Sequence, residues 1–128
     1  MKTLALLVAI LAIMFTTSDA SAHKGRLYAH AHGGPGVAFI HGHNICAENV
    51  NRLRAHLGLR ATGSAAAASF LGLPHTSKPV YGSVMYVPGH VALYAGNGMC
   101  WNPSSRHQQW DLKSCGNIWP GRHRTWIR

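Results

Sequence analysis

A cysteine and a histidine, two residue types that act together in nucleophilic catalysis, each stand at a well-marked point of this sequence. Cys46 follows a short polar loop, and His90 begins an apolar stretch, Val91-Ala92-Leu93-Tyr94. An imidazole titrates near neutral pH, so it can take the proton of a thiol and later return it to a leaving group. We therefore interpret Cys46 as a nucleophile and His90 as its base.

The residues around Cys46 predict a helix that carries the cysteine in its first turn. Asn44 is the predicted N-cap, and Gly58 is the predicted left-handed residue after the last turn. Near the N-terminus the positive end of the helix dipole favours the thiolate over the thiol. One apolar face is predicted by residues at spacings of four, three and four, namely Cys46, Val50, Leu53 and Leu57.

A β-hairpin is predicted after His90, and its register decides which side chain can support the imidazole. Gly96-Asn97-Gly98 is the predicted turn. A two-residue loop would pair Leu93 with Asn102 and turn Asn102 away from His90. A three-residue loop, with its last glycine left-handed, pairs Ala92 with Asn102 and places Asn102 diagonally beside His90 on one face. We favour the second register, in which Asn102 orients the imidazole as a third catalytic residue.

Residues 44–105 resemble the NlpC-type and CHAP peptidoglycan hydrolases of the papain-like superfamily. The resemblance rests on Cys46 at a helix start, on a polar residue at position 102, and on His90–Gly98, which is similar to their strand H-V-G-I-Y-x-G-N-G. Gly82-Ser83-Val84-Met85-Tyr86 resembles their G-D-L-V-x-F strand, with serine in place of the acid. The chain departs from them at Ile45-Cys46-Ala47-Glu48, where they have Asp-Cys-Ser-Gly. Upstream of the cysteine they have Tyr-x-Trp-Gly-Gly, whereas this chain has His30-Ala31-His32-Gly33-Gly34, so an oxyanion-hole tyrosine is not carried over.

The resemblance implies an α+β fold with helices packed on one face of a small antiparallel sheet, the papain-like NlpC/CHAP core. It implies amide hydrolysis in bacterial peptidoglycan, either within the stem peptide or at the amide that joins it to muramic acid. Cys46 attacks, His90 transfers the proton and Asn102 orients the ring, while backbone N–H groups near Cys46 hold the oxyanion. No metal or other cofactor is expected. Acyl transfer to another acceptor would use the same residues.

The N-terminus has the pattern of a secretory signal peptide. A basic start is followed by an apolar run from Leu4 to Phe15, and Ala20-Ser21-Ala22 fits an A-x-A cleavage site. The run is too short for a mature transmembrane helix. We therefore expect residues 1–22 to be removed and residues 23–128 to form one soluble, secreted or periplasmic hydrolase domain, a monomer with a His/Gly-rich segment at 23–43.

Export would place the three cysteines in an oxidising compartment, where pairs tend to form. We pair Cys100 with Cys115, which leaves Cys46 as the odd, reactive thiol. A bridge between Cys46 and Cys100 stays possible at this point and would abolish the mechanism, because sequence alone does not determine disulfide connectivity.

The chain is strongly basic, with a formal net charge of +9, and Glu48 and Asp111 are the acidic residues left after signal cleavage. Two carboxylates are too few for a lysozyme-like glycosidase and a stable fold together, and they make a carboxylate calcium site improbable. A basic exported protein suits an acidic partner such as the bacterial wall. Nucleic acid is not expected as a partner, since no recognition motif is present.

Two His-x-His pairs in a Gly-rich loop give the main competing hypothesis. Histidines that alternate along an extended chain share a face and can bind zinc or copper. The rival protein would be a non-enzymatic metal-binding or wall-binding protein with a structural cysteine. The four histidines of these pairs are His30, His32, His41 and His43.

The remaining elements are predicted more simply. Residues Ala65–Leu71 form a short helix capped by Ser64, Val80–Val87 form a strand, and Arg124–Arg128 form a closing edge strand guarded by basic residues. The tryptophans belong to the core or, in a wall-cutting enzyme, line the substrate groove. They crowd the last third of the chain, at Trp101, Trp110, Trp119 and Trp126.

Overall fold

The structure is a computed structural model that describes residues 34–128, so the predicted signal peptide, His30 and His32 lie outside the described residues. This part is a small α+β fold with one α-helix, α1 (Cys46–His56), and a five-stranded antiparallel sheet. The strands are β1 (Val84–Val87), β2 (His90–Gly96), β3 (Met99–Ser104), β4 (Gln109–Ser114) and β5 (Thr125–Ile127). Two 3₁₀-helices complete it, at Ala67–Gly72 and Cys115–Asn117.

The sheet order is β4-β3-β2-β1-β5. Strands β1 to β4 form a meander of consecutive hairpins, and β5 returns to the free edge of β1, where Val84 pairs with Ile127. The predicted C-terminal edge strand is therefore confirmed, and β4 is the opposite edge.

Helix α1 and the first 3₁₀-helix cover one face of this sheet. The first turns of α1 pack beside the start of β2, since Cys46 and Val50 share a buried cluster with Val91. Later in the helix, Leu53 packs in a second cluster with Leu93, near the end of β2. The N-terminus of α1 consequently lies at the end of the sheet where β2 begins.

The other face of the sheet carries the segment that follows β4. Met85 and Ala92 pack there with Ile118 and with the Cys100–Cys115 disulfide. The predicted pairing of these two cysteines is confirmed, and Cys46 is free. The alternative bridge from Cys46 to Cys100 is wrong.

The predicted N-cap of α1 is wrong, whereas its C-terminus is confirmed. Ile45 is the N-cap residue and provides no side-chain cap, while Asn44 adopts a left-handed backbone with φ +53°. At the other end Gly58 is left-handed, with φ +73°. Its N–H bonds to the carbonyl of Ala55 and the N–H of Leu59 to that of Arg54, the Schellman pattern that ends a helix.

The two other predicted elements begin later than expected. The short helix is a 3₁₀-helix at Ala67–Gly72, and the Ser64 hydroxyl accepts from the N–H of Ala66 ahead of it. The predicted strand Val80–Val87 begins only at Val84, because Gly82 has φ +95° and the residues before β1 form a turn.

A buried arginine ties three separate segments together. The guanidinium of Arg54 donates from Nε to the carbonyl of Arg60 (3.0 Å), from Nη1 to that of Gly82 (2.8 Å) and from Nη2 to that of Arg128 (3.0 Å). Its side chain is only 2% exposed. The helix, the approach to β1 and the end of β5 are thus joined at one side chain.

Within residues 34–128, no helix is long and apolar enough to cross a membrane.

Candidate functional site

The β2–β3 hairpin places His90 beside Asn102, in the register that the sequence predicts but by a different route. Gly96 pairs with Met99 across a two-residue turn, and a bulge then shifts the ladder so that Leu93 pairs with Trp101. This pairing puts Asn102 opposite Ala92, on the same face as His90. The bulge, and not a three-residue loop, supplies the extra residue.

The imidazole of His90 has a defined hydrogen bond. Its Nε2 lies 2.6 Å from Oδ1 of Asn102. Because an amide oxygen can only accept, Nε2 carries the proton and donates it. The neutral ring then keeps the lone pair of Nδ1 as its basic site, and Nδ1 forms no hydrogen bond within the described residues.

Burial governs the protonation of this ring. His90 is 8% exposed. Its pKa lies below the usual value of 6.5, because desolvation disfavours the charged imidazolium. The hydrogen bond to Asn102 opposes this change, while the positive charge of Lys113 adds to it. The imidazole is therefore neutral near pH 7 and able to accept a proton.

Cys46 is the first residue of α1 and the free cysteine of the structure. Its side chain is 9% exposed and belongs to the apolar cluster under the helix. The helix start has no side-chain cap. Backbone N–H groups of the first turn have no intrahelical partner in any α-helix, and here no capping side chain bonds to them either, so they can hold an anionic oxygen.

Cys46 and His90 lie on different faces of β2. The pleat directs His90 and Ala92 to one face, and it directs Val91 to the face where Cys46 packs. The two residues lie at the same end of the sheet, as the first residues of α1 and β2. No hydrogen bond joins thiol and imidazole within residues 34–128, so the structure brings together His90 and Asn102 but leaves the thiol outside this pair.

The loop that precedes Cys46 is held by two amide side chains. Asn49, fully buried on α1, accepts from the N–H of Ile40 (2.7 Å) and donates to the carbonyls of Ile40 and Ile45 (3.0 Å each). Gln108 accepts from the N–H of Gly42 (2.8 Å) and donates to its carbonyl (2.9 Å). These contacts fix the chain directly before the cysteine.

Two residues of this site were not predicted from the sequence. Gln108 lies in the β3–β4 turn, and its positive φ of +52° is visible only in the structure. Trp119 stacks on His90, with ring centroids 5.0 Å apart and an angle of 14° between the ring planes. The one sequence signal for Trp119 is the crowding of tryptophans in the last third of the chain.

Two of the four predicted metal ligands lie within the described residues. His41 and His43 are exposed in the loop held by Gln108. Another histidine, His107, bonds through Nδ1 to Asp111 (2.7 Å). Residues 34–128 contain no group of three or more side chains suited to holding a metal ion.

Comparisons of the chain with protein-family models, with curated proteins and with solved structures give no match.

Proposed function

We propose that the protein is a cysteine hydrolase that cleaves amide bonds, with Cys46 as nucleophile, His90 as general base and acid, and Asn102 as the residue that orients the imidazole. The hydrogen bond between His90 and Asn102 carries this proposal. This bond holds the ring through Nε2 and leaves Nδ1 free to act as the base. A cysteine–histidine mechanism requires one ring nitrogen to be held and the other to exchange protons.

The reaction proceeds in two stages. The thiol proton of Cys46 passes to Nδ1 of His90 as the sulfur bonds to the amide carbon, and N–H groups at the start of α1 hold the oxyanion. The C–N bond then breaks, and Nδ1 returns the proton to the departing amine. In the second stage Nδ1 takes a proton from water as the water oxygen attacks the thioester carbon. The C–S bond then breaks and Nδ1 returns the proton to the sulfur, which frees the acid and restores the thiol.

The proposal requires the thiol and the imidazole to meet at the end of the sheet where α1 and β2 begin, because the two side chains lie on different faces of β2. Catalytic hydrogen bonds are often long or poorly aligned before substrate binds, and they tighten in the complex. The uncapped start of α1 also supports the proposal, because an Asn44 cap would have occupied a backbone N–H group that the oxyanion needs.

For the substrate, we propose bacterial peptidoglycan, at a stem-peptide bond or at the amide that joins the stem to muramic acid. The support is the resemblance of residues 44–105 to NlpC-type and CHAP hydrolases. The net charge of +9 suits an anionic wall polymer. The Cys100–Cys115 disulfide is consistent with an extracellular location, and we propose that the protein is exported.

The decisive experiment measures peptide or amine release from purified peptidoglycan after chelation of metals, with and without a thiol alkylator. Cys46→Ala should reduce turnover to background, and His90→Ala should reduce it by about 10²–10⁴-fold, the usual contribution of a general base. Asn102→Ala should leave a larger remainder, because it acts only through the ring it orients.

His107→Ala is the matched control, since His107 is an exposed histidine with its own hydrogen-bond partner. It should retain full activity. Activity that survives complete alkylation of Cys46, or that needs added zinc, would contradict the hydrolase and favour the metal-binding protein.

A further inference from the structure

A small cavity lies beside the last turn of α1. Its volume is about 260 Å³, and its lining combines cationic and apolar side chains, namely Arg54, Leu59, Arg60, Leu73, Pro74 and Arg128. Arg54 belongs to the last turn of the helix, whereas Cys46 is its first residue. The two residues are about 12 Å apart along the helix axis. The cavity is therefore separate from the residues to which we assign catalysis.

The buried guanidinium of Arg54 contributes hydrogen-bond donors to this cavity. An arginine side chain has five N–H groups. Three of those of Arg54 bond to the main-chain oxygens of Arg60, Gly82 and Arg128. One N–H on each terminal nitrogen is left without a protein partner within the described residues. Donors on two nitrogens of one guanidinium match the two oxygens of a carboxylate.

Two further guanidinium groups line the cavity from its solvent side. Arg60 and Arg128 are both exposed. Their main-chain oxygens accept from Arg54, but within the described residues their side chains form no hydrogen bond and no ion pair with an acidic side chain. Both side chains are thus available to a ligand.

No acidic side chain lines the cavity to balance these charges. The acidic residues of the described part of the chain are Glu48, in the first turn of α1, and Asp111, on the edge strand opposite β5. Where the main-chain oxygen of Arg128 belongs to a terminal carboxylate, that group offsets one of the three charges, and two remain. The field in the cavity is positive and favours an anion.

The apolar walls of the cavity are fixed by contacts with the same main chain. Leu59 packs directly over Gly82, where a side chain would collide with its Cδ1. The carbonyl of Pro74 accepts from the N–H of Arg128 (2.8 Å), which holds the segment that follows the buried Leu73 against the end of β5. The apolar surface is therefore already in place beside the guanidinium groups.

The volume of the cavity limits the size of its ligand. It exceeds the cavity of about 150 Å³ that holds benzene in an engineered protein. It lies just below the range of about 300–1,000 Å³ that is usual for drug-sized ligands. A molecule with one charged group and one short apolar group matches this size.

We propose that this cavity binds a small carboxylate that carries a short apolar group. The arginines hold the carboxylate, and the apolar group packs against Leu59, Leu73 and Pro74. An inorganic phosphate carries the charge but leaves the apolar walls uncovered. The same chemistry is offered by a free short-chain acid and by the C-terminal residue of a peptide. This binding site does not depend on the hydrolysis proposed above.

The test is a titration of the full chain, followed by calorimetry and by the NMR shifts of backbone amides. Isocaproate carries both the charge and a branched apolar group. Isocaproamide has the same shape without the charge, and inorganic phosphate has the charge without the apolar group. N-acetyl-leucine represents the C-terminal residue of a peptide.

Arg60→Gln and Arg128→Gln are the variants to test, because each removes a charge but keeps the main-chain oxygen that Arg54 needs. Arg106→Gln is the matched control, since it removes the same charge from an exposed arginine in the β3–β4 turn, outside the cavity. Circular dichroism would verify that all three variants fold.

Isocaproate should bind at least about tenfold more tightly than isocaproamide or phosphate, because only isocaproate forms charge-assisted hydrogen bonds and also covers the apolar walls. Arg60→Gln and Arg128→Gln should each weaken its binding by about fivefold or more, and Arg106→Gln should leave it unchanged. Tighter binding of N-acetyl-leucine than of isocaproate would identify a peptide terminus as the ligand, and weaker binding would identify a free acid.

Three results would overturn the proposal. Absence of saturable isocaproate binding would exclude the site. Equal affinity for isocaproate and isocaproamide, or for isocaproate and phosphate, would exclude the proposed ligand chemistry. An equal loss of affinity in Arg106→Gln and in the two cavity variants would show general attraction to a basic protein instead of binding in this cavity.

Discussion

The imidazole of His90 combines two properties that do not usually occur together in one side chain. It is almost buried, yet within the described residues one of its nitrogens is bonded and the other is left unbonded. Burial keeps the ring neutral, and the amide of Asn102 determines which nitrogen holds the proton. A buried histidine in a purely structural role would be expected to bond both nitrogens, so this asymmetry supports the proposal that His90 is a base.

The pKa of His90 leads to a prediction about pH. Because burial lowers this pKa below 6.5, the base stays unprotonated into mildly acidic solution, and the acid limb of kcat/KM should lie below pH 6.5. Asn102→Ala removes a hydrogen bond that raises the pKa, so the limb should move further down. Lys113→Gln removes a charge that lowers it, so the limb should move up.

Rate profiles between pH 4 and 8, with an NMR titration of the imidazole, would check this prediction. An acid limb above pH 6.5 in the unmodified protein, or shifts of the two variants in the same direction, would contradict it.

At the scale of elements, the sequence predicts what local chemistry dictates and misses what depends on distant partners. The face shared by His90 and Asn102, the left-handed Gly58 and the Cys100–Cys115 pair are all confirmed. The bulge in β2 could not be read from the turn residues, because a two-residue turn plus a bulge gives the same pairing as a longer loop.

The capping of α1 illustrates the opposite case. Asn44 has the right residue type and position for an N-cap, but Asn49 and Gln108 hold the preceding loop in a path that turns Asn44 left-handed. Gln108 lies 66 residues from Gly42 along the chain. A pattern of neighbouring residues contains no information about a contact of that separation. Strand β4 and the 3₁₀-helix at Cys115–Asn117 were likewise not predicted.

The contact between Gln108 and Gly42 should control the loop before the nucleophile. Gln108→Ala removes both hydrogen bonds to the backbone of Gly42, and since each contributes about 1 kcal/mol, exchange of the Gly42 amide proton should be about thirtyfold faster. Turnover of peptidoglycan should fall with it, while the midpoint of thermal unfolding should change little because the contact is exposed.

Gln109→Ala is the matched control, since this neighbouring glutamine bonds only to the Asp111 side chain. Equal amide exchange in the two variants would show that Gln108 does not hold the loop.

For the whole molecule, the most consequential side chain is a cation without an Asp or Glu partner within the described residues. Arg54 is buried, and its three hydrogen bonds go to main-chain carbonyls of segments that are far apart in sequence. Burial lowers the pKa of Arg54, which reflects the cost of removing its charge from water. Carbonyl dipoles from three directions offset that cost and make Arg54 a joint between helix and sheet.

Replacement of this joint should be strongly destabilising. Arg54→Met leaves three carbonyls without their donor, and we expect the free energy of unfolding to fall by about 2–4 kcal/mol. Arg54→Lys should recover only part, since an ammonium lacks the planar fork that reaches three carbonyls. Arg52 is an exposed arginine two residues before Arg54 on the same helix, and its side chain makes a single 3.3 Å bond to Ala38. Arg52→Met should lower the free energy of unfolding by about 0.5 kcal/mol or less.

Urea denaturation followed by circular dichroism would measure these differences. Equal losses of unfolding free energy for Arg54→Met and Arg52→Met would contradict the role of Arg54 as a joint between helix and sheet.

The return of β5 to the edge of β1 also determines when the sheet can close during folding. Arg54 bonds to Arg128, 74 residues further along, and Val84 pairs with Ile127. While a ribosome is still producing the chain, the β1–β4 meander can form from neighbouring hairpins, but one edge of β1 stays open and the guanidinium lacks its last carbonyl. The sheet therefore closes only after the segment that contains β5 has been made, whereas the meander can form before it.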